Sequence, residues 1–195
     1  MTVPVVERRD LGVFLGRVVR LDAGALVRIR PSGPDHLTLW ASLPFDVLVA
    51  RTVPGMWLDD ATVRATELLE SESPQRRDSE WRGSLPPERG WQVLDTVPSA
   101  VVRDLITAGQ KAFRAAGTQA AGESLLDHET LRVRGDAPGA PEVAVTFRLL
   151  LALARMAFLG DRPVEVATCG PWVRLSADHG TAYHRTAAFG VTLLR

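Results

Sequence analysis

The chain has 195 residues, of which 46% are hydrophobic and 24% are charged. This balance is typical of a folded globular protein and excludes a chain that is disordered throughout. The 23 basic residues are matched by 23 acidic ones, so the composition lacks the basic excess of nucleic-acid-binding proteins. A basic patch could arise only by segregation of charge.

The first third of the chain predicts one helix followed by three strands. Over residues 10–21 apolar side chains recur at the spacing of one helical face, and Asp10 can cap the helix. That apolar stripe consists of Leu11, Phe14, Leu15 and Val18. Alternating apolar and polar residues then predict strands over 25–30, 36–42 and 46–53. A short helix over 61–71 follows, unless its first residues are a strand end.

Residues 72–90 form the most polar stretch, with three prolines and balanced charges, and we predict a loop or linker there. The expected organisation is an N-terminal α+β unit over 1–71, this linker, and a C-terminal α+β unit over 91–195. The two units are free to pack as one domain. Trp81 is unusual in such a segment: either it docks back onto a domain, or it is exposed and binds a partner protein.

The second half predicts two long helices and further strands. One helix is expected over 96–117, and Pro141 opens another over 142–160, whose apolar residues surround nearly its whole circumference. A helix of that kind is normally central and buried. Strands are expected over 164–168, 172–176 and, for the last one, near 189–195.

The two ends of the chain share one order of features: a helix, a strand, a Gly-Pro turn, a second strand and a third extended segment. The matching segments are VVRLDAGALVRIRPSGPDHLTLWAS and MAFLGDRPVEVATCGPWVRLSAD. This order predicts a diverged duplication of a helix–β–β–β unit. The expected fold class is α+β, with antiparallel β-meanders, three to four helices and the central apolar helix 142–160.

The single cysteine, Cys169, excludes an internal disulfide and is compatible with a reducing cytoplasm. The N-terminus, MTVPVVERRDLGVFLGRVVR, carries charges where a signal peptide needs an apolar run. The most apolar stretch, Leu149 to Ala154, is too short to span a bilayer. We therefore expect a cytoplasmic protein that makes no contact with a membrane.

Cys169, Asp178, His179 and His184 are the candidate site residues, because thiols, carboxylates and imidazoles supply nucleophiles and metal ligands. If the strands around Cys169 form a hairpin, Cys169 lies in its turn and His179 at its opposite end, about 16 Å away. That distance excludes a Cys–His dyad. The H-x4-H spacing of His179 and His184 suits neither one helix face nor one strand face. We expect turn residues here, with a metal or small-molecule site as the alternative.

The order of helix, middle segment, helix and hairpin also fits a winged helix, in which helix 142–160 would enter the major groove. That helix offers few polar side chains to base edges, so nucleic-acid binding is not expected. The sequence lacks G-x-G-x-x-G, a P-loop, G-x-S-x-G and C-x-x-C. It therefore indicates no catalytic residue and no cofactor.

The phrases GWQVLDTVP, LARMAFLG and GPWVRL resemble those of a family of uncharacterised proteins of GC-rich Gram-positive bacteria. The resemblance covers most of the C-terminal half and implies a cytoplasmic protein, without assigning a role to any residue.

The absence of catalytic motifs, and polar loops that carry Trp81 and Trp91, favour a non-catalytic protein-interaction or regulatory module. Its partner would be another protein or a second copy of the chain. One alternative is a small-molecule or metal-binding domain or enzyme that uses Asp178, His179 and His184. The other is winged-helix-like DNA binding.

Overall fold

A computed structural model describes residues 8–71, 73–115, 119–136 and 139–186. The first half of the chain contains α1 (Arg8–Leu21), β1 (Leu26–Pro31), β2 (His36–Leu43), β3 (Val47–Pro54), β4 (Ala61–Arg64) and α2 (Ala65–Glu70). The second half contains β5 (Gln92–Val97), α3 (Ser99–Ala115), α4 (Gln119–Leu126), β6 (Glu129–Arg134), β7 (Glu142–Thr146), α5 (Phe147–Arg155), β8 (Val164–Cys169), β9 (Trp172–Ala177) and β10 (Gly180–Arg185). A 3-10 turn, Asp78–Glu80, lies between the halves.

Eight strands form one antiparallel sheet in the order β4-β1-β2-β3-β10-β9-β8-β5. Each half of the chain supplies four neighbouring strands. In each half one strand, β4 or β5, lies at the outer edge, and the three-stranded meander beside it runs inwards to the junction. The halves join between β3 and β10, where only three residue pairs are in register: Ala50–Thr181, Val49–Ala182 and Leu48–Tyr183. Strands β6 and β7 form a separate hairpin.

Helices α1, α3 and α5, which we call the helical layer, are joined by one hydrophobic core that runs through both halves. Side chains alternate between the two faces of a strand, so every second residue of β1, β2 and β9 is buried beneath these helices. Phe14 of α1 stacks on Phe158, which follows α5, with ring centroids 6.4 Å apart. The opposite face of the sheet, the outer face, carries no helix within the described ranges.

The predicted α+β class with antiparallel meanders is confirmed. The three strands of each end form the meanders β1–β3 and β8–β10, and each meander follows a helix, as the predicted repeat unit requires. Of the described helices, none has both the length and the apolar character needed to cross a bilayer.

The predicted helix over 142–160 is wrong in its bounds. Residues 142–146 are strand β7, which pairs with β6, and the helix itself is only Phe147–Arg155. Six of its nine residues are buried, so α5 is central, as expected. A strand in front of a buried helix is incompatible with a winged-helix recognition helix, which must be free to enter a groove.

Two strands differ from the predictions made for their segments. The first residues of the predicted helix 96–117 belong to strand β5, and α3 begins only at Ser99. The third strand of the C-terminal meander is β10, directly after β9, whereas the strand predicted near 189–195 lies outside the described residues.

The segment 73–91, which we call the strap, connects the two edges of the sheet. Near its start it is fixed to β4: the backbone N–H of Arg77 donates to the carbonyl oxygen of Thr62 at 2.7 Å, and the Thr62 N–H donates to the Asp78 carboxylate at 2.6 Å. Arg76 adds an ion pair to Asp59 at 3.0 Å. These bonds satisfy the backbone of edge strand β4, and the strap then crosses the outer face.

Candidate binding site on the outer face of the sheet

The outer face brings together residues that are far apart in sequence. Trp40 of β2 lies opposite Ala50 of β3, and Tyr183 of β10 lies opposite both Leu48 of β3 and Arg174 of β9. Cross-strand neighbours on one face are close enough for their side chains to touch. These residues therefore form one continuous surface across the junction of the two halves, which we call the floor.

Three aromatic rings meet on this floor, and we call Trp40, Trp91 and Tyr183 the aromatic cluster. The ring of Tyr183 lies 5.2 Å from that of Trp40, at an angle of 42°, and 5.7 Å from that of Trp91, at 61°. The Arg174 guanidinium lies 4.6 Å above the Trp91 ring, a cation–π contact. Trp91 belongs to the strap, so the cluster ties the strap to the sheet.

A cavity of about 660 Å³ opens beside the aromatic cluster. The strap forms one wall with Pro86, Pro87, Glu88 and Trp91, and hydroxyl side chains share the floor with the aromatic rings. These hydroxyls belong to Thr38, Thr52, Thr181 and Tyr183. The volume lies within the range of about 300–1,000 Å³ that is usual for ligand sites.

The arginines around the cavity are all paired with carboxylates. Arg30 lies 3.0 Å from Asp60 and 3.1 Å from Glu88. Arg51 contacts Asp10 of α1 at 3.1 Å, and Arg174 contacts Glu165 at 2.7 Å. The cavity is therefore rich in charged groups, although its positive charges are balanced locally.

Tyr183 keeps its proton at neutral pH. Burial raises the pKa of Tyr183 because it penalises the phenolate, and the nearby Arg174 only partly opposes that shift. The Thr181 side chain also opposes the rise in the Tyr183 pKa, by a smaller amount. The cavity floor thus presents neutral hydroxyl groups, which can both donate and accept hydrogen bonds.

The structure separates the predicted metal or small-molecule residues. Asp178 and His179 form the two-residue turn between β9 and β10 and line the cavity. His184 lies towards the other end of β10, where its Nδ1 is 2.9 Å from the carbonyl oxygen of Asp46. Within the described ranges, no three His, Cys, Asp or Glu residues come together in a way that could hold a metal ion.

Asp178 has a structural role in its turn. Its carboxylate accepts hydrogen bonds from the backbone N–H of Arg162 and from the Arg162 guanidinium. These bonds lower the pKa of Asp178, with the backbone N–H as the largest cause. Gly160 packs directly against the Asp178 side chain, and a Cβ at that position would overlap it.

Cys169 ends β8 at the tip of the β8–β9 hairpin, beside the turn Gly170-Pro171. Gly170 has a φ of 55°, the left-handed conformation that glycine adopts most readily. The Cys169 thiol lies 3.6 Å from the carbonyl oxygen of Arg89 in the strap, so the thiol is at most a weak donor. His179 is at the opposite end of β9, which agrees with the hairpin predicted from the sequence.

Trp81, the predicted partner-binding residue, is half-buried at one end of the outer face. It borders a separate cavity of about 290 Å³ together with Ala25 and Leu26 at the start of β1 and Ser42 of β2. Its indole N–H is buried, and it has no acceptor among the described residues. Its role in binding a partner stays a prediction.

Trp40, Tyr183 and Arg174 were not predicted as site residues from the sequence. A partial signal was present, since Trp40 and Arg174 occupy polar-face positions of alternating strands, where a tryptophan is unexpected. Their meeting point depends on the pairing of β3 with β10, which are separated by the whole second half of the chain.

The three helices of the helical layer carry more basic than acidic residues. The helical layer carries nine basic residues, namely Arg8, Arg9, Arg17, Arg20, Arg103, Lys111, Arg114, Arg148 and Arg155. Only Asp10 and Asp104 oppose them within these helices. Five of the basic residues are exposed and have no carboxylate partner in the described part of the chain: Arg9, Arg20, Lys111, Arg114 and Arg155.

The fold is similar to that of bacterial sliding clamps. The DNA polymerase III subunit beta sliding clamp of Bartonella birtlesii, solved with griselimycin, matches with a TM-score of 0.63 and 15% identity, over 95% of this chain and 65% of that one. The Bacillus subtilis DNA polymerase sliding clamp matches with a TM-score of 0.63 and 11% identity, over 94% and 64%. The Helicobacter pylori beta clamp, bound to a DNA ligase peptide, gives 0.57 and 13%, over 96% and 67%. The chain thus spans about two thirds of the length of these clamps or slightly less.

The chain belongs to the family described as Domain of unknown function (DUF8185), whose model matches residues 86–189. The model described as Domain of unknown function (DUF8010) matches residues 4–92, so the two matches meet in the strap. Among curated proteins, none matches the chain.

Proposed function

We propose that this protein is a non-catalytic protein-interaction module and that the outer-face cavity is its binding surface. The observation that carries the proposal is the composition of that cavity, in which tryptophan, tyrosine and arginine side chains converge at the junction of the two halves. These three residue types are enriched among the residues that dominate binding energy at protein interfaces.

The fold likeness supports the same class of function. One of the similar clamps, that of Helicobacter pylori, is bound to a peptide of DNA ligase. A clamp-like chain that binds segments of other proteins is therefore consistent with both its architecture and its aromatic cavity. We also expect it to work in the cytoplasm, in keeping with its free thiol.

The test compares the partners of the wild-type chain with those of a cavity variant. Tagged wild-type, Trp91→Ala and Phe113→Ala chains are purified from the native cell, and the co-purified proteins are quantified by mass spectrometry. Phe113 is the control, because it is an exposed aromatic residue of α3, on the other side of the sheet.

We expect one partner at near-stoichiometric amount with the wild type and with Phe113→Ala, and its loss with Trp91→Ala. With the purified partner, the dissociation constant should rise at least about tenfold, since a central aromatic residue contributes more than about 1.4 kcal/mol. A partner that binds all three folded chains equally well would refute the assignment of the surface.

The excess of basic residues in these three helices supports a second candidate function, the binding of nucleic acid to the helical layer. Five exposed cations there have no carboxylate partner among the residues that the structure describes, whereas the cavity arginines are paired. Such cations are free to displace counterions from phosphates. The matched structures are sliding clamps of DNA polymerase, which is compatible with this candidate.

Fluorescence anisotropy with a labelled DNA duplex at several salt concentrations tests this candidate. We expect an Arg20→Glu/Arg155→Glu variant to bind more weakly and to reduce the salt slope by about one for each lost phosphate contact. Arg185→Glu, which alters an exposed cation on the outer face, should behave as the wild type. No binding of the wild-type chain at low salt would remove the candidate.

A further inference from the structure

A second, smaller cavity lies on the outer face, beside the turn that joins β2 to β3. We call it the turn cavity, and its volume is about 310 Å³. Tyr183 lines both this cavity and the larger outer-face cavity, so the two are neighbours on one surface. The strap contributes residues 82–84 to its lining, and β10 contributes Arg185. The turn cavity is therefore built from both halves of the chain and from the segment that connects them.

The base of the turn cavity is apolar. Leu48 and Trp172 line it, and they are only 7% and 8% exposed. Trp172 lies directly opposite Arg185 in the pairing of β9 with β10, so an aromatic residue and a cation are next to each other. The hydroxyl groups of Ser42 and Ser84 complete the polar part of the lining. A ligand that fits this arrangement carries both an apolar group and polar groups.

Two cations of the turn cavity have no carboxylate partner among the residues that the structure describes. They are Arg82 and Arg185, and both are exposed. In the larger cavity, by contrast, Arg30 is paired with Asp60, and Arg174 with Glu165. An anionic group that enters the larger cavity must compete with these carboxylates. In the turn cavity it meets two guanidinium groups that are not already paired.

One carboxylate lies at the rim of the turn cavity. Asp46 is 85% exposed, and its Oδ2 atom lies 3.8 Å from the Arg148 guanidinium and 3.8 Å from the His184 ring. The charged residues of the cavity lining are Arg82, Arg185 and Asp46, so positive charges outnumber negative ones. The lining therefore favours a ligand that carries a few negative charges, and Asp46 opposes a dense run of them.

We propose that the turn cavity binds an acidic segment of a partner protein, with its carboxylates on Arg82 and Arg185 and an apolar side chain against Leu48 and Trp172. A guanidinium holds a carboxylate through two parallel hydrogen bonds, which makes such pairs both strong and specific. An aliphatic side chain of the segment would cover the apolar base, which a phosphate backbone cannot do. This inference rests on the proposed function and specifies the charge of the partner's segment.

The probe is a fluorescein-labelled peptide with the sequence Glu-Glu-Leu-Glu-Glu between Gly-Ser flanks. The control peptide has glutamine in place of each glutamate. Fluorescence anisotropy is measured at about 50 mM salt, where exposed charges are only weakly screened. We expect saturable binding of the glutamate peptide and at least about tenfold weaker binding of the glutamine peptide, because hydrogen bonds between charged groups are the stronger ones. Equal binding of the two peptides, or binding of neither, overturns the inference.

A pair of double variants separates the cavity from the general charge of the surface. Arg82→Gln/Arg185→Gln should weaken binding of the glutamate peptide at least about tenfold. Arg89→Gln/Arg114→Gln removes the same number of exposed cations outside the turn cavity and should leave binding unchanged. Circular dichroism verifies that each variant is folded. Equal binding by the two double variants would mean that Arg82 and Arg185 form no site, and the inference would fall.

Asp46→Asn tests the same charges in the opposite direction. Asp46 has a φ of 59°, a left-handed conformation that asparagine also adopts, so the turn should be kept. Removal of the rim carboxylate should strengthen binding of the glutamate peptide by about two- to threefold. Weaker binding by Asp46→Asn would contradict the charge assignment of the cavity.

The two proposals can fail separately. A native partner that is lost with Trp91→Ala but retained by Arg82→Gln/Arg185→Gln would refute the acidic segment and leave the interaction module standing. A native partner that both variants retain would refute both proposals. A DNA duplex that Arg82→Gln/Arg185→Gln no longer binds, together with no binding of the glutamate peptide by the wild type, would assign the turn cavity to nucleic acid and overturn the inference.

Discussion

The two sides of the sheet use arginine in opposite ways. On the outer face, Arg30 and Arg174 are each held by a carboxylate and help to fix the geometry of the cavity. In the helical layer, Arg20, Arg114 and Arg155 lie in the last turns of three helices, exposed and with no carboxylate partner in the described ranges. The comparison teaches that a chain with no net charge can hold some of its arginines in ion pairs and leave others exposed at the ends of helices.

The two sides also differ in the contacts that stabilise each of them, and the prediction with the largest expected effect tests that difference. Phe158 is fully buried beneath the sheet and stacks on Phe14, so Phe158→Ala should lower the free energy of unfolding by about 3–5 kcal/mol. Trp91→Ala removes one aromatic contact and one cation–π contact from a half-buried ring and should cost about 1–2 kcal/mol. Urea denaturation measures both values.

Equal losses for Phe158→Ala and Trp91→Ala would mean that the outer face is part of the core, and the comparison would fail. A larger loss for Trp91→Ala would mean that the strap contributes more to stability than the helical layer does.

Two glycines of the helical layer differ in the space around them, and substitution of each by alanine tests the packing on that side of the sheet. A Cβ on Gly109 of α3 would overlap the buried Phe147 ring, whereas a Cβ on Gly12 of α1 meets nothing within 4 Å. Gly109→Ala should therefore destabilise by about 1–3 kcal/mol through overpacking. Gly12→Ala should stabilise by about 0.5–1 kcal/mol, because alanine is the better helix former.

Thermal unfolding followed by circular dichroism distinguishes the signs of these two changes. If both variants shift the midpoint in the same direction, the packing assigned to α3 against α5 is incorrect.

The smallest expected effect concerns the anchor of the strap. The Asp78 carboxylate accepts from the Thr62 N–H, which is the largest cause of its lowered pKa, and Arg76 adds to the shift. Because the pKa is lower in the folded state, the charge stabilises the fold above the ordinary carboxyl pKa of about 3.9. That stabilisation is lost as the pH falls through the lowered pKa of Asp78 in the folded state.

Asp78→Asn removes the charge and keeps an oxygen that can accept the Thr62 N–H. Urea midpoints of the wild type and the variant should differ at pH 7 and converge in strong acid. A difference that persists unchanged at low pH would show that the charge of Asp78 does not stabilise the fold.

The elements that were predicted well are those whose burial pattern is local. Helix α1 carries its buried residues at helical spacing, and strands β1 and β2 carry theirs in alternation. All three were predicted within two residues of their bounds. Strand β5 was missed because its register shifts between Val93 and Asp95, a bulge that leaves Leu94 and Val97 buried three residues apart. That spacing resembles a helix. Strand β7 was assigned to a helix because its partner β6 supplies the pairing, which no local window contains.

The candidate site was predicted only in part. Trp91 was noted as an aromatic residue in a polar segment, and Asp178 and His179 line the cavity although they were considered for a metal. Trp40 and Tyr183 could not be connected, because their contact depends on a junction of three residue pairs between distant strands. Long-range pairing of this kind follows from the packing of the whole sheet and not from the sequence around either residue.

The short junction between β3 and β10 has a consequence for how the molecule responds to a break in its backbone. Only three residue pairs join the strands there, yet the core beneath them contains side chains from both halves. A protease that cuts the strap at the exposed Arg82 would therefore produce two fragments that remain one non-covalent complex. The same fragments, made separately, should reassemble by complementation, which makes the strap a natural position for a split reporter.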